Sequence, residues 1–216
     1  MIPVLAFPTF ARHDLAQRMI DSIDFPVEHL VIADNSGDFD FDPQVNRELI
    51  KNFWLWRFPY SLGPAPAMNL VIKALPYAPY WVFASEDTWL APGSLKKIYE
   101  KADPKAMSFV DAKPDWCFVV MGEEVILKSG LTSELFYPLY FDDNDHARRM
   151  KAAGVPVKRI GAKVHHDNSS TIAAGFGDKN QKTFKRNHLL YEQRAKDNVM
   201  TGGEWDLSIR RANSWD

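Results

Sequence analysis

The chain has 216 residues, of which 46% are hydrophobic and 25% charged, as expected of a globular protein with one substantial core. It has no run of eighteen apolar residues, and no basic region precedes its first apolar segment, so we expect a cytoplasmic protein that is neither exported nor membrane-spanning. The single cysteine, Cys117, excludes an internal disulfide and any zinc site built from several thiolates. Cys117 lies in an apolar segment and is predicted to be a buried thiol.

Charge is distributed unevenly along the chain. The formal net charge is -2, but residues 179–211 carry eight basic and four acidic side chains, which leaves -6 for the remainder. This asymmetry indicates a contact with a polyanion near the C-terminal end of the sequence.

The first part of the chain alternates predicted strands with predicted helices. Asp14 is expected to cap a helix between two apolar strands. Further on, we expect a polar helix near residues 44–52, a strand, and a helix from Pro64 through Leu75. The remaining predicted elements are a strand at 80–85, a helix at 92–101 and strand segments at 107–111 and 117–121. This order predicts an α/β sandwich around a mostly parallel sheet, in which ligands bind at the carboxyl ends of the strands.

The pattern changes after residue 123. A short helix and an aromatic segment are followed by an acidic cluster that opens a further helix, a strand with paired histidines, and a basic helix near residues 179–196. The Gly-rich residues 173–180 lack apolar periodicity and are predicted to form a loop.

Polar residues follow the predicted strands at the places where ligands are expected. Thr9 and Arg12 follow the first strand, and Asp34, Asn35 and Ser36 follow the second. The Asp34 carboxylate would project from the sheet edge, where it can accept hydrogen bonds from a ribose or a base. Alternatively, Asp34 and Asn35 only shape a turn.

Two further groups could complete a metal site. Glu86 and Asp87 follow the strand at 80–85, and such carboxylates can hold a hard divalent cation, although they are also common in solvated loops. An imidazole nitrogen of His165 or His166 could add a ligand to Asp87, unless both rings are structural.

Three carboxylates lie in one predicted helical turn, Asp142, Asp143 and Asp145, where the helix dipole stabilises negative charge. A carboxylate in this position could take a proton from an acceptor hydroxyl. The alternative is structural: Asp142 would be an N-cap and Asp145 an i,i+4 partner of Arg149.

Taken in chain order, these segments resemble the family 2-type glycosyltransferases of the GT-A fold. PTFAR resembles that family's PT-aromatic-x-R opening, VIADNSG its DNxS turn, and SLGPAPAMNL its NxGxxxAxN helix start, with Ser61 in place of Asn. WVFASEDTWLAPGSLKKI is similar to its strand, DxD motif and PGxL helix. The resemblance continues through GLTSELFYPLYFDDNDHARRMKAAG, KVHHDNSST and TFKRNHLLYEQRAKDNVMTGG, so it covers residues 3–203.

The resemblance implies a single GT-A domain over residues 1–216, with a mostly parallel central sheet flanked by helices. Its nucleotide-binding half would span about 1–111, its acceptor-side half about 112–177, and a C-terminal basic helix and tail about 178–216. The implied activity is inverting transfer of a sugar from a nucleotide-diphosphate sugar, a UDP-sugar first among them, to a hydroxyl of a saccharide or of a hydroxylated DNA base.

Residue roles are implied in the same way. Asp143 would be the catalytic base, and Asp87 with His165 or His166 would hold Mn or Mg. The residues implied to bind the donor are Thr9, Arg12, Asp34, Asn35, Ser36, Gly63, Asn69, Glu86, Lys185 and Arg186. Two departures from the family pattern are Ser85 at the first carboxylate of the DxD motif and Asp142 where the family has Glu.

Two alternatives belong to other functional classes. A nucleotidyltransferase would use a similar metal site at the strand ends, but it usually needs a Gly-rich phosphate loop after the first strand, and residues 8–14 contain no glycine. A non-catalytic sugar-binding module would need neither a base nor a donor pocket.

Overall fold

A single eight-stranded sheet organises the chain in the computed structural model, which describes residues 1–167 and 177–202. Its strands are β1 (Ile2–Thr9), β2 (Val27–Asp34), β3 (Ile50–Arg57), β4 (Tyr80–Ala84), β5 (Thr88–Leu90), β6 (Met107–Asp111), β7 (Phe118–Gly122) and β8 (Val157–His166). Their order is β3-β2-β1-β4-β7-β6-β8-β5. Within the described ranges, β3, β2, β1 and β4 pair in parallel, as do β6 and β8, whereas β7 and β5 pair antiparallel with their neighbours.

Helices cover both faces of this sheet. They are α1 (His13–Asp21), α2 (Pro64–Ala74), α3 (Ser94–Lys101), α4 (Glu123–Ser129), α5 (Asp142–Ala152) and α6 (Gly177–Lys196), with short 3-10 turns at Asp115–Cys117 and Glu134–Phe136. Across the described ranges, no helix combines the length and the apolarity that a membrane span requires.

The core consists of two apolar clusters on opposite faces of the sheet. Alternate residues of β1 enter different clusters, with Leu5 and Phe7 in one and Val4 and Ala6 in the other, because successive side chains of a strand point to opposite faces. The first cluster includes residues of α1 and α3, and the second includes residues of α2, α4 and α5. This three-layer arrangement confirms the predicted α/β sandwich.

The prediction of a polar helix near residues 44–52 is wrong. This segment forms one turn, in which the Asn46 side chain accepts the Glu48 N–H at 3.0 Å and the Asn46 carbonyl accepts the Ile50 N–H at 3.1 Å. Strand β3 begins at Ile50, which pairs with Val27. Asparagine side chains compete with helical hydrogen bonds in this way, and the pairing with β2 then takes the chain into the sheet.

Two other local expectations change, and one is confirmed. Helix α1 begins at His13, with no side-chain cap, and Asp14 instead binds the Arg12 guanidinium at 2.7 and 2.9 Å. Of the loop expected at 173–180, residues 177–180 open α6, whereas 173–176 lie outside the described residues. The Cys117 thiol is buried as predicted, and burial raises its pKa to about 12.

Candidate functional site

The polar residues that follow β1, β2 and β4 lie on one rim of the sheet. These strands are parallel, so their carboxyl ends meet at the same edge. Thr9 and Asp34 are direct register partners in β1 and β2, and the Asn35 N–H donates to the Thr9 carbonyl at 2.9 Å. Glu86 and Asp87 lie in the short connection between β4 and β5. The fold therefore brings together residues of three motifs that lie far apart in the sequence.

Glu86 links two of these strand ends. Its Oε2 accepts hydrogen bonds from the Thr9 hydroxyl at 2.6 Å and from the Phe10 N–H at 2.7 Å, and the residue is buried. Arg12 lies close by: hydrogen bonding to Asp14 raises the Arg12 pKa, and the charge of Glu86 contributes in the same direction. Glu86 therefore fixes the end of β1 against the end of β4.

Asp34 is almost fully buried and only partly satisfied. Its Oδ1 accepts hydrogen bonds from the Ser36 N–H at 3.0 Å and the Ser36 hydroxyl at 2.6 Å. Its Oδ2 is buried without a hydrogen-bond partner among the described residues. An unpaired buried oxygen is costly, by about 1–3 kcal/mol, so this atom is suited to accept a hydrogen bond from a ligand.

His13 is a site residue that the motif comparison missed. Its ring stacks on Phe41 with centroids 4.5 Å apart, and its Nε2 lies 3.6 Å from the Asp34 Oδ1. That nitrogen is also buried and lacks a hydrogen-bond partner within the described ranges. The only signal in the sequence is that His13 directly follows the PTFAR motif.

Asp87 contacts His166, the second histidine of the predicted pair. The His166 Nε2 lies 3.1 Å from the Asp87 Oδ1, and its Nδ1 lies 2.9 Å from the Lys113 carbonyl oxygen. Because a carbonyl only accepts, Nδ1 carries the hydrogen of that bond. The Nε2 atom therefore faces the carboxylate either as the N–H of an imidazolium or as a lone pair available to a cation shared with Asp87.

His165 points to the opposite side of β8. It is the register partner of Trp89 in β5 and stacks on that ring with centroids 5.0 Å apart. The Arg18 guanidinium lies 3.9 Å from the centroid of the Trp89 ring and also pairs with Asp167 at 2.6 Å. The alternation of side chains along a strand thus brings His166, and not His165, to Asp87.

Asn35 and Gly63 connect the rim to the segment that precedes α5. The Asn35 Oδ1 accepts the Leu62 N–H at 2.9 Å. Gly63 has a φ of +83°, and a Cβ at this position would lie 2.6 Å from the Pro138 carbonyl oxygen. Only glycine fits this close approach, so packing alone accounts for the residue.

Asn69 has a similar connecting role inside α2. Its Nδ2 donates to the Thr132 carbonyl and to the Glu134 carboxylate, both at 2.8 Å, and its Oδ1 accepts the Thr132 N–H at 3.2 Å. The side chain is buried, and its amide hydrogens and oxygen are engaged by protein groups. Its contacts therefore favour a structural role over the donor contact that the motif implied.

Asp142 and Asp143 begin α5, as the sequence predicted. The N-cap is Phe141 in the left-handed region, so Asp142 is not a cap. Burial, followed by the nearby charge of Asp143, raises the pKa of Asp142 to about 7. Burial also raises the pKa of Asp143, which is partly exposed and accepts the Asn144 N–H at 2.8 Å.

Asp145 has a different environment in the same turn. Burial opposes its ionisation, but Arg194, Arg149 and Arg148 together hold its pKa below the ordinary value. The Arg149 Nε lies 2.9 Å from Oδ2 and the Arg194 Nε lies 3.1 Å from Oδ1. Asp145 is thus the i,i+4 partner of Arg149, and it also joins α5 to α6.

Lys185 and Arg186 lie on the exposed side of α6. The Arg186 guanidinium donates to the Tyr137 carbonyl, and its Nε donates to the Asn187 Oδ1 at 3.0 Å. Arg186 is therefore held against the aromatic segment before α5, whereas Lys185 presents its charge at the surface.

No protein-family model matches this sequence, and no curated protein matches it. Solved structures do match. S. aureus TarS in complex with UDP has a TM-score of 0.58 at 13% identity, over 76% of this chain and 60% of that chain. A mutant Drosophila β1,4-galactosyltransferase 7 with manganese, UDP-Gal and xylobiose has a TM-score of 0.55 at 11% identity, over 80% of this chain and 74% of that chain.

A third matching structure is the inositol-1-phosphate CTP transferase of T. maritima, with a TM-score of 0.52 at 12% identity, over 79% of this chain and 91% of that chain. The chain spans only 36–60% of the length of the TarS structures that it matches. At sequence identities this low, the structural similarity establishes a common fold, the GT-A fold.

Proposed function

We propose that this chain, which has the GT-A fold, transfers a sugar from a nucleotide-diphosphate sugar to an acceptor hydroxyl. One observation carries the proposal: Asp34 lies on the rim that it shares with Thr9 and Asp87, and its Oδ2 is buried without a hydrogen-bond partner in the part of the chain that the structure describes. Asp34 and His13 would bind the nucleoside of the donor. UDP and manganese in complexes of structures with this fold support a UDP-sugar and a divalent cation.

Asp87 and His166 fit a divalent cation. They offer one carboxylate oxygen and one imidazole nitrogen 3.1 Å apart, and the Lys113 carbonyl orients the ring, as an outer-shell partner does in metal sites. A bound Mn or Mg ion would offset the negative charge that grows on the departing diphosphate. We further propose that Lys185 and Arg12 supply positive charge near the phosphates.

Asp143 is the proposed catalytic base of an inverting displacement. Burial raises its pKa, which strengthens it as a base while the carboxylate remains accessible. Asp143 takes the proton of the acceptor hydroxyl as that oxygen attacks the anomeric carbon. The bond from the anomeric carbon to the diphosphate oxygen breaks on the opposite face, and the nucleoside diphosphate leaves with that electron pair.

The proposal is tested by incubating the protein with UDP-glucose or UDP-galactose and Mn, together with saccharides or with DNA containing hydroxymethylated bases. UDP release that depends on one acceptor, with an acceptor–sugar product of inverted anomeric configuration by NMR, is the expected result. Saccharide and DNA acceptors are separated by which addition raises the rate. If each nucleotide sugar remains intact and fails to raise the melting temperature, the proposed function is wrong.

A nucleotidyltransferase is the second candidate, because the CTP transferase structure is matched over 91% of its length. In such an enzyme a phosphate oxygen of the sugar phosphate would attack the α-phosphorus of CTP, which transfers the cytidylyl group and releases pyrophosphate. The absence of glycine in residues 8–14 opposes it, since a phosphate loop would need glycine there. Pyrophosphate release from CTP or UTP with a sugar phosphate would select this candidate over sugar transfer.

A further inference from the structure

The turn that leads into α5 has an unfavourable backbone conformation. Tyr140 and Phe141, the two residues directly before Asp142, have φ values of 76° and 69°. Non-glycine residues disfavour this left-handed region, and two in succession persist only where neighbouring groups hold them. The direction of the Asp142 and Asp143 side chains depends on this turn, because it sets the orientation of the first turn of α5.

A fully buried asparagine of α6 binds the carbonyls of this turn. The Asn187 Nδ2 donates to the Phe136 oxygen at 2.7 Å, the Leu139 oxygen at 2.8 Å and the Tyr140 oxygen at 3.3 Å. Asn187 has no exposed surface. Its two amide hydrogens are thus shared among three carbonyl oxygens, so all three of these hydrogen bonds depend on one side chain.

Arg186 strengthens the same arrangement. Its guanidinium donates to the Tyr137 carbonyl, and its Nε donates to the Asn187 Oδ1, which fixes the orientation of the Asn187 amide. Two adjacent residues of α6 therefore bind four carbonyls within residues 136–140.

Ring contacts hold the last residue of the turn. The Phe141 ring lies 4.9 Å from Phe184, 5.1 Å from His188 and 5.8 Å from Tyr191, measured between centroids. All three partners belong to α6. This helix therefore contacts both the backbone carbonyls and the side chain of the turn.

We propose that Asn187 is a positioning residue for Asp143. By binding carbonyls of residues 136–140, it stabilises the left-handed conformation of the turn that orients the base at the start of α5. This inference rests on the proposed function. The role depends on the amide at position 187, because alanine would remove these three hydrogen bonds and aspartate would face the carbonyls with negative charge.

The first test compares Asn187→Ala and Asn187→Gln with wild-type protein, using UDP release in the presence of the acceptor that supports turnover. Both variants should lower kcat by up to about 100-fold, because small displacements of a catalytic group have effects of this size, while KM for the UDP-sugar stays unchanged. Asn187→Gln keeps the amide on a longer stem, so it serves if the alanine variant does not fold.

Arg194→Gln is the matched control. It removes another link between α6 and α5, the contact with Asp145, but leaves the donors to the turn in place. We expect it to lower the melting temperature without lowering kcat of the folded protein. Equal losses of kcat in the Arg194 and Asn187 variants would mean that general loosening of α6 explains the effect, and the positioning role would be rejected.

A double-mutant cycle identifies the group through which Asn187 acts. In an Asp143→Asn background, Asn187→Ala should leave the residual rate unchanged, because the base that it orients is gone. If Asn187→Ala lowers the residual rate as much as it does in the wild type, the inference is overturned. Absence of any UDP release by wild-type protein would instead overturn the proposed function itself, and with it this role.

Discussion

Replacing Asp142 by asparagine should stabilise the protein at alkaline pH and not at acidic pH. Burial, and next the charge of Asp143, raise the pKa of Asp142 from 3.8 to about 7 in the folded chain. Between these two values the folded protein retains a proton that the unfolded chain releases. The slope of the unfolding free energy with pH is therefore negative, and stability contributed by the protonated carboxyl is lost as pH rises through about 7.

The magnitude follows from the size of this pKa change. About three pKa units at roughly 1.4 kcal/mol each give an upper value of about 4 kcal/mol for the cost of ionising Asp142 in the folded state. Most of that cost develops above pH 5. Asp142→Asn has no carboxyl to ionise, so its stability relative to wild type should increase by about 2–3 kcal/mol between pH 5 and pH 8.

The assay is urea unfolding followed by tryptophan fluorescence at pH 5 and pH 8. Asp145→Asn is the contrasting variant, because the arginines that pair with Asp145 lower its pKa. The substitution leaves the buried guanidinium groups of Arg149 and Arg194 without this carboxylate. It should destabilise by about 3–5 kcal/mol at both pH values. If Asp142→Asn changed stability equally at the two pH values, Asp142 would not be a buried acid with a raised pKa.

Three further predictions concern the proposed site. Asp143→Asn should lower kcat by about 100- to 10,000-fold with KM for the UDP-sugar unchanged. In the wild type, the rate should fall on the acid side at a pH above the ordinary carboxyl pKa, because burial raises the pKa of Asp143. If the variant retained its turnover, Asp143 would not be the base. UDP should raise the melting temperature more with manganese than without it, and Asp87→Ala and His166→Ala should each abolish this difference. His165→Ala should keep it. The same loss in all three variants would contradict Asp87 and His166 as the metal ligands. His13→Ala should weaken UDP binding measured by calorimetry without changing its manganese dependence, and unaltered affinity would exclude a contact with the nucleoside.

Much of the fold was predictable because hydrophobic patterns encode it locally. The apolar runs that became β1, β2 and β4 each end in polar residues, and parallel pairing then places Thr9, Asp34 and Asp87 on one rim. The helix expected near residues 44–52 failed for a local reason, the hydrogen bonds of Asn46. The division at residues 111 and 177 stays a prediction, and strands from both sides of residue 111 belong to one sheet.

The contacts of individual site residues were less predictable. The sequence places His165 and His166 side by side, and only their position inside β8, paired with β5, separates their directions. Glu86 follows a strand as an expected donor-site residue, yet it accepts hydrogen bonds from Thr9 and Phe10, which are more than seventy positions away. Asn187 binds carbonyls about fifty positions away, and no local pattern specifies such partners.

Environment, rather than residue type, separates the three aspartates that open α5. Asp145 is buried and paired with Arg149 and Arg194, which keep it ionised and inaccessible to an acceptor. Asp142 is buried, which raises its pKa to about 7 and leaves its carboxyl less accessible to an acceptor hydroxyl than that of Asp143. Asp143 combines partial exposure with a pKa raised by burial. Divergent environments of neighbouring carboxyls are what distinguish a base from structural acids, and they support our proposal that Asp143 is the member of this turn that activates the hydroxyl.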